Sequence, residues 1–419
     1  MEIPLREVHQ LSAVAAVRQW RAWQQAQWQT AAPVVALEQR LFFHLHVLAR
    51  AGDKEEPVPE EAEEAFVWLA GGMESPDAAR RAKVAAMAGE FLVEDSPRGE
   101  GLRKAVGLFP GRELDGVVSR LYQRTTAARP ALLNSLCSPR RWVSGELLDE
   151  AASQADDAHL RASALYYRAR FVPGGLEAFS RCYQPLLSGR VAGIPAEVLS
   201  AALLGGLIRG HEAVRTALRK AVEHETAPDA LRMLLRLAAL VCDTLLYPRV
   251  RELMEHDPAG ACTLMAIYGH DEACRDLLDA MESPRTAEAA ADAWYRISGA
   301  RLGRRPRLSL VDKGQQSEDP QRQAGQMPDV AAARAWWADN GIAPGERLLL
   351  GRRLTPGSLL AAAGDTAGAG VQDILDLAAV TLGRPLGFDA RGWVTDRRKH
   401  LAGCSAHGQG DTGAGAGHA

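Results

Sequence analysis

Asp156, Asp157 and His159 bring two carboxylates and an imidazole within four positions, the ingredients of general acid–base catalysis. Neighbouring positions on a helix point about 100° apart, so these side chains diverge. They read instead as the polar start of a helix near Leu160. His44 and His46 stand two apart on a helical stretch and face different sides, so they cannot hold one metal from that helix. His211, His224 and His270 fall at helix ends, where capping and solvation account for them. The six cysteines, Cys137, Cys182, Cys242, Cys262, Cys274 and Cys404, form no CxxC or other metal-type pair. Five of them lie in helical stretches as small buried hydrophobes, which fits a reducing compartment. The Gly-rich stretch 361–370 and the C-terminal tail have no Lys-Ser/Thr after them and no strand before them, so they fail as phosphate loops. Neither GxSxG nor HExxH occurs. The sequence therefore gives no catalytic residue, no metal site and no cofactor.

What remains is chemistry of recognition. Trp336 and Trp337 are adjacent on a helix capped by Asp329. One ring can cover the end of a helical array while the other anchors a partner, and closure of the array by both rings is the favoured expectation. Arg304 and Arg305, with Arg301 and Arg307, form a basic cluster, and Arg397, Arg398 and Lys399 form a second. Either could meet phosphates. The basic residues gather after the helical region, while the helices themselves balance Arg with Glu and Asp. A net charge of −3 adds no global attraction, so a nucleic-acid partner is disfavoured. Trp336, Trp337, Arg304 and Arg305 are the candidate partner-binding residues. Trp20, Trp23 and Trp28 are read as a core-facing stripe.

The elements that carry these residues are helical. Asp257-Pro258, His270-Asp271 and Ser283-Pro284 each open a short apolar helix, and Gly269, Met281 and Gly299 lie near their ends. Met73-Glu74-Ser75-Pro76 and Met281-Glu282-Ser283-Pro284 precede two Ala-rich helices. Gly210-His211 and Gly269-His270 begin a second echo, spaced like two helical repeats of about 30 residues. Few aromatics and 47% apolar residues suit Ala-packed helix pairs. The expected fold is all-α, an α-solenoid of degenerate HEAT-like repeats with a small C-terminal helical element. Its parts are an N-terminal Trp-rich helix over 1–32, the repeats over 33–300, a polar linker over 301–328, the C-terminal element over 329–402 and a disordered tail over 403–419. Leu264, Ile267, Leu277, Leu278, Ala290 and Trp294 should be buried between helices. No signal peptide and no membrane span are expected, and the expected location is the cytoplasm.

The stretches 37–52, 267–302, ARAWWADN, PGERLLLGRRLT and PLGFDARGW resemble a bacterial family of uncharacterised HEAT-like-repeat proteins. Members of that family are often encoded beside type VI secretion spike, tip and adaptor proteins. The resemblance implies an accessory role in handling effectors or spike components, and it supplies no catalytic residue. The expected function is a non-enzymatic protein-binding scaffold or adaptor, since solenoids present an extended concave surface. The alternative is an enzyme or nucleic-acid-binding protein on the same scaffold, of DNA-glycosylase or bilin-lyase type.

Overall fold

The computed structural model describes residues 5–51, 57–136, 143–153, 156–189, 193–306 and 326–408, the last five of these by backbone alone. Residues 307–325 of the expected linker and 409–419 of the expected 403–419 tail lie outside the described residues, while residues 403–408 belong to the last helix rather than to a disordered tail. Among the described residues the fold is all-α, with only two- and three-residue strands. It divides into two compact units, Met1–Ala217 with Ala363–Ala419, and Leu218–Ala362.

The first unit begins with α1 (Leu5–Gln25), α2 (Ala31–Arg50), α3 (Ala62–Met73), α4 (Ala78–Gly89), α5 (Pro97–Leu108) and α6 (Arg112–Arg124). It continues through α7 (Arg129–Leu136), α8 (Gly145–Ser153), α9 (Ala158–Phe171), α10 (Leu176–Leu187) and α11 (Ala196–Ile208). Helices two apart in the chain pack side by side: α1 on α3, α3 on α5, then α7, α9 and α11 in turn. Helix α4 packs on α6 as a second row. Every residue of α11 from Val198 to Ile208 is buried, as a helix apolar on all sides must be.

Helix α12 (Val214–His224) crosses the unit boundary. The second unit contains α13 (Pro228–Leu240), α14 (Tyr247–Leu253), α15 (Pro258–Tyr268), α16 (Asp271–Ala280) and α17 (Ala287–Ser298). Again α13, α15 and α17 pack in sequence. Helix α15 is buried almost throughout, whereas α16 buries Ala273, Cys274, Leu277 and Leu278 along one face. All six core residues expected from the sequence are buried. Full burial of a Leu such as Leu277 contributes about 1.5–3 kcal/mol.

The helix punctuation is physical. Asp257 accepts from the Gly260 amide at 2.9 Å, and Pro258 occupies the first turn, where no amide partner is needed. The His270 Nδ1 accepts from the Ala273 amide at 3.0 Å and caps α16. Helix α17 starts at Ala287, three residues later than Ser283-Pro284 predicts. Residues 283–286 form a turn in which the Thr286 hydroxyl donates to the Ala280 carbonyl, satisfying the end of α16 before the next helix can begin.

The C-terminal element expected over 329–402 is not one body, because the unit boundary falls at Ala362. In the second unit, β2 (Arg304–Pro306) pairs antiparallel with β3 (Gln326–Pro328), bringing the two ends of the expected linker together. Helix α18 (Val330–Asn340) and the hairpin β4 (Leu348–Leu349) with β5 (Arg352–Arg353) follow. Helix α19 (Pro356–Asp365) leads across the boundary to β6 (Thr366–Ala367), α20 (Val371–Leu382) and α21 (Val394–Gly408). In the first unit β6 pairs with β1 (Gln29–Thr30), α20 packs on α11, and α21 packs on α2.

Candidate functional site

The acid–base trio does not assemble. Asp157 Oδ1 accepts from the Leu160 amide at 2.9 Å as the cap of α9, and His159 Nδ1 meets Glu197 Oε2 at 2.6 Å. His44 pairs with His9 rather than His46, at 2.9 Å between Nδ1 atoms. Burial and the neighbouring His9 hold His44 below the usual imidazole range. Among the described residues no group of three or more His, Cys, Asp or Glu side chains is placed to hold a metal. Cys262 and Cys274 are buried, while Cys182 and Cys242 are half-buried.

Of the candidate partner-binding residues, Trp336 and Trp337 are both half-buried. Both set an edge against fully buried Trp294, with ring centroids at 5.6 and 6.3 Å. Arg304 makes a two-pronged ion pair with Glu288, at 2.5 and 2.9 Å. Arg305 pairs with Asp329 at 2.7 Å. Their charges are thus matched locally, which weakens the phosphate reading. The second basic cluster is corrected more sharply: Arg397 is 1% exposed and donates to the Thr366 carbonyl, so only Arg398 and Lys399 of that trio face outward. Burial lowers the Arg397 guanidinium to about 10. Among the tryptophans, Trp20 and Trp28 are buried as a core stripe requires, and Trp23 packs partly buried against the core.

The segment ERLLLGRRLT has a role that its composition does not announce. The Arg347 guanidinium donates to four backbone carbonyls, those of Ala239, Leu240, Ile267 and Tyr268, at 2.7–3.2 Å. These are the last carbonyls of α13 and α15, which the helices cannot satisfy themselves. A cation there also meets the negative ends of two helix dipoles. The hairpin backbone continues the capping, with Leu348 N donating to Gly269 O, Leu350 N to Arg296 O and Gly351 N to Ile297 O. Gly269 and Gly299 close α15 and α17 in the left-handed region, and a Cβ at Gly269 would stand 2.7 Å from the Leu348 carbonyl.

In the first unit the corresponding device is a buried carboxylate. Glu38, fully buried on α2, accepts from Val394 N at 2.8 Å, from Thr395 N at 2.9 Å and from the Thr395 hydroxyl at 2.8 Å. The Trp20 indole donates to it at 3.3 Å. The carboxylate therefore sits at the N-terminus of α21, where helix amides favour negative charge. Burial still pushes its pKa above the usual range, against those hydrogen bonds. Beside it Trp393 is buried among Trp20, Phe42 and Phe109, at 4.9, 5.0 and 5.8 Å. Arg170 of α9 holds buried Asp376 of α20 by two bonds of 3.0 Å.

This return of the chain leaves a cavity of about 550 Å³ in the first unit. Trp20, Gln24 and Gln25 of α1 form one wall, and Glu100, Arg103, Lys104 and Leu108 of α5 the next. Ala131, Asn134 and Ser135 of α7 form a third. Two loops of the returning segment, at Gly368-Ala369 and Ala390-Arg391, complete it. The first loop is held by Ala369 N donating to Ala26 O at 2.9 Å and Gly370 N to Gln27 O at 3.1 Å. A Cβ at Gly370 would stand 2.4 Å from the Trp28 ring, so these glycines permit close approach of two backbone segments. Sequence reasoning missed this cavity because its walls come from five segments up to about 370 positions apart. The one local signal is Lys104, a cation among the buried positions of α5.

Comparison of the chain with protein-family models, with curated proteins and with solved structures finds no match. Among the described residues no helix is long and apolar enough to cross a membrane.

Proposed function

We propose that the protein is a non-enzymatic protein-binding scaffold or adaptor, built as a degenerate HEAT-like solenoid and working in the bacterial cytoplasm. One observation carries the binding reading. Of the five large hydrophobic side chains most exposed among the described residues, four lie on one helix pair: Leu5, Val8 and Leu11 on α1, and Phe43 on α2. Phe43 stands 5.8 Å from the His9 ring of α1, so the two helices contribute to a shared surface. Apolar groups left in water on a helix that already buries its other face are the composition of an interface. The stepwise packing of alternate helices within each unit supports the repeat architecture. Handling of type VI secretion components rests on the family resemblance alone.

The test is capture from bacterial lysate at moderate salt, with the Leu11→Asp/Phe43→Asp variant beside the natural chain. A defined protein retained by the natural chain and lost by the variant, at equal melting temperature, is the expected result. Retention of DNA that falls steeply with salt would favour the nucleic-acid-binding alternative. Trp336→Ala and Trp337→Ala in the same assay tell whether those rings bind or only close the helical array.

A further inference from the structure

We propose that the cavity walled by α1, α5 and α7 is a binding site for a small monocarboxylic acid with an apolar body. The site is independent of the protein-binding surface argued above. Its volume of about 550 Å³ falls within the range of sites that enclose small organic ligands. The Trp20 ring forms part of the wall, with its indole N–H spent on Glu38 and Lys104 lying over the ring. Leu108, Ala131, Ala369 and Ala390 add further apolar surface.

The charges select the head group. The Lys104 ammonium lies 5.0 Å over the Trp20 ring, and among the described residues no acceptor makes a hydrogen bond or ion pair with it. The nearby carboxylates Glu63 and Glu100 are both taken by Arg21, at 2.6 and 2.5 Å. The other two cations of the wall are committed as well. Arg103 donates to the Leu92 and Glu94 carbonyls, and Arg391 pairs with Asp389. Glu63 and Glu100 together balance the charges of Arg21 and Lys104, but among the described residues the Lys104 ammonium keeps its hydrogen-bond donors for a single carboxylate, and the Glu100 carboxylate in the same wall opposes a second negative charge. That balance fits a carboxylate rather than a phosphate dianion. Burial and the Arg21 charge lower the Lys104 pKa, a cost that an incoming anion relieves.

The experiment titrates the full-length chain with phenylacetate, 4-phenylbutyrate and octanoate, each beside its uncharged amide, by calorimetry and saturation-transfer NMR. At least one acid should bind about tenfold or more tightly than its amide, the effect of one charge-assisted contact. Lys104→Met should erase that preference at unchanged melting temperature, and Lys104→Arg should restore it. The proposal is overturned if no acid binds at millimolar concentration, if acid and amide bind alike, or if Lys104→Met keeps the preference.

Discussion

The two units close their helical rows in different ways. In the second unit a local hairpin, at most about 110 residues from the helices it caps, covers exposed carbonyls with Arg347 and backbone amides. In the first unit the cover comes from the far end of the chain. Glu38 meets Thr395 across 357 positions, and Trp393 enters an aromatic core begun by Trp20. One unit satisfies helix ends mainly by hydrogen bonds, and the other by a buried aromatic plug with a buried carboxylate beside it. Closing a long loop costs entropy that only a strong set of contacts offsets. The first unit should therefore be the more sensitive to loss of a single peg.

Trp393→Ala is expected to have the largest effect, about 3–5 kcal/mol, because it empties the centre of that plug. Chemical denaturation followed by tryptophan fluorescence measures it. Leu277→Ala, in the core of the second unit, should cost about 2–5 kcal/mol. An unchanged melting temperature would show that α16 does not bury this face. Glu38→Ala should cost about 3 kcal/mol, since it strands the Val394 and Thr395 amides and the Trp20 indole.

Glu38 also makes a prediction about pH. Burial raises its pKa above the ordinary 4.5, so the folded state holds its proton to higher pH than the unfolded chain. Its favourable contribution is complete below 4.5 and is lost as pH rises through the folded-state value. Stability relative to Glu38→Gln should fall over that interval. A flat difference across it would contradict the assigned environment. The smallest effect expected is that of Arg347→Met, about 2 kcal/mol, because some of the four carbonyls it leaves can turn to water. Thermal melts read against the natural chain will test it.

Much of the helical grammar was legible in the sequence. Asp257-Pro258 and Gly269 bound a helix as read, and the six residues named for the core are buried. Capping depends on neighbours a few positions apart, so a local pattern carries it. Ser283-Pro284 misled by three residues because Thr286 spends its hydroxyl on the preceding helix. The roles of Glu38, Trp393 and Arg397 were not legible. Each is defined by a contact across the fold, and Arg397 read as surface charge because its burial depends on the Thr366 segment. The cavity was hidden for the same reason, since its five wall segments meet only in the fold and Lys104 among the buried positions of α5 is its one local signal.

Hydrogen exchange, resolved by segment, tests the contrast between the two closures most directly. Trp393→Ala should accelerate exchange across α1, α2 and α5 while the amides of α15 and α17 keep their protection. Arg347→Met should do the reverse, with the increase centred on the ends of α13 and α15. If both substitutions loosen the same segments to the same degree, the two units do not close independently and the account is wrong.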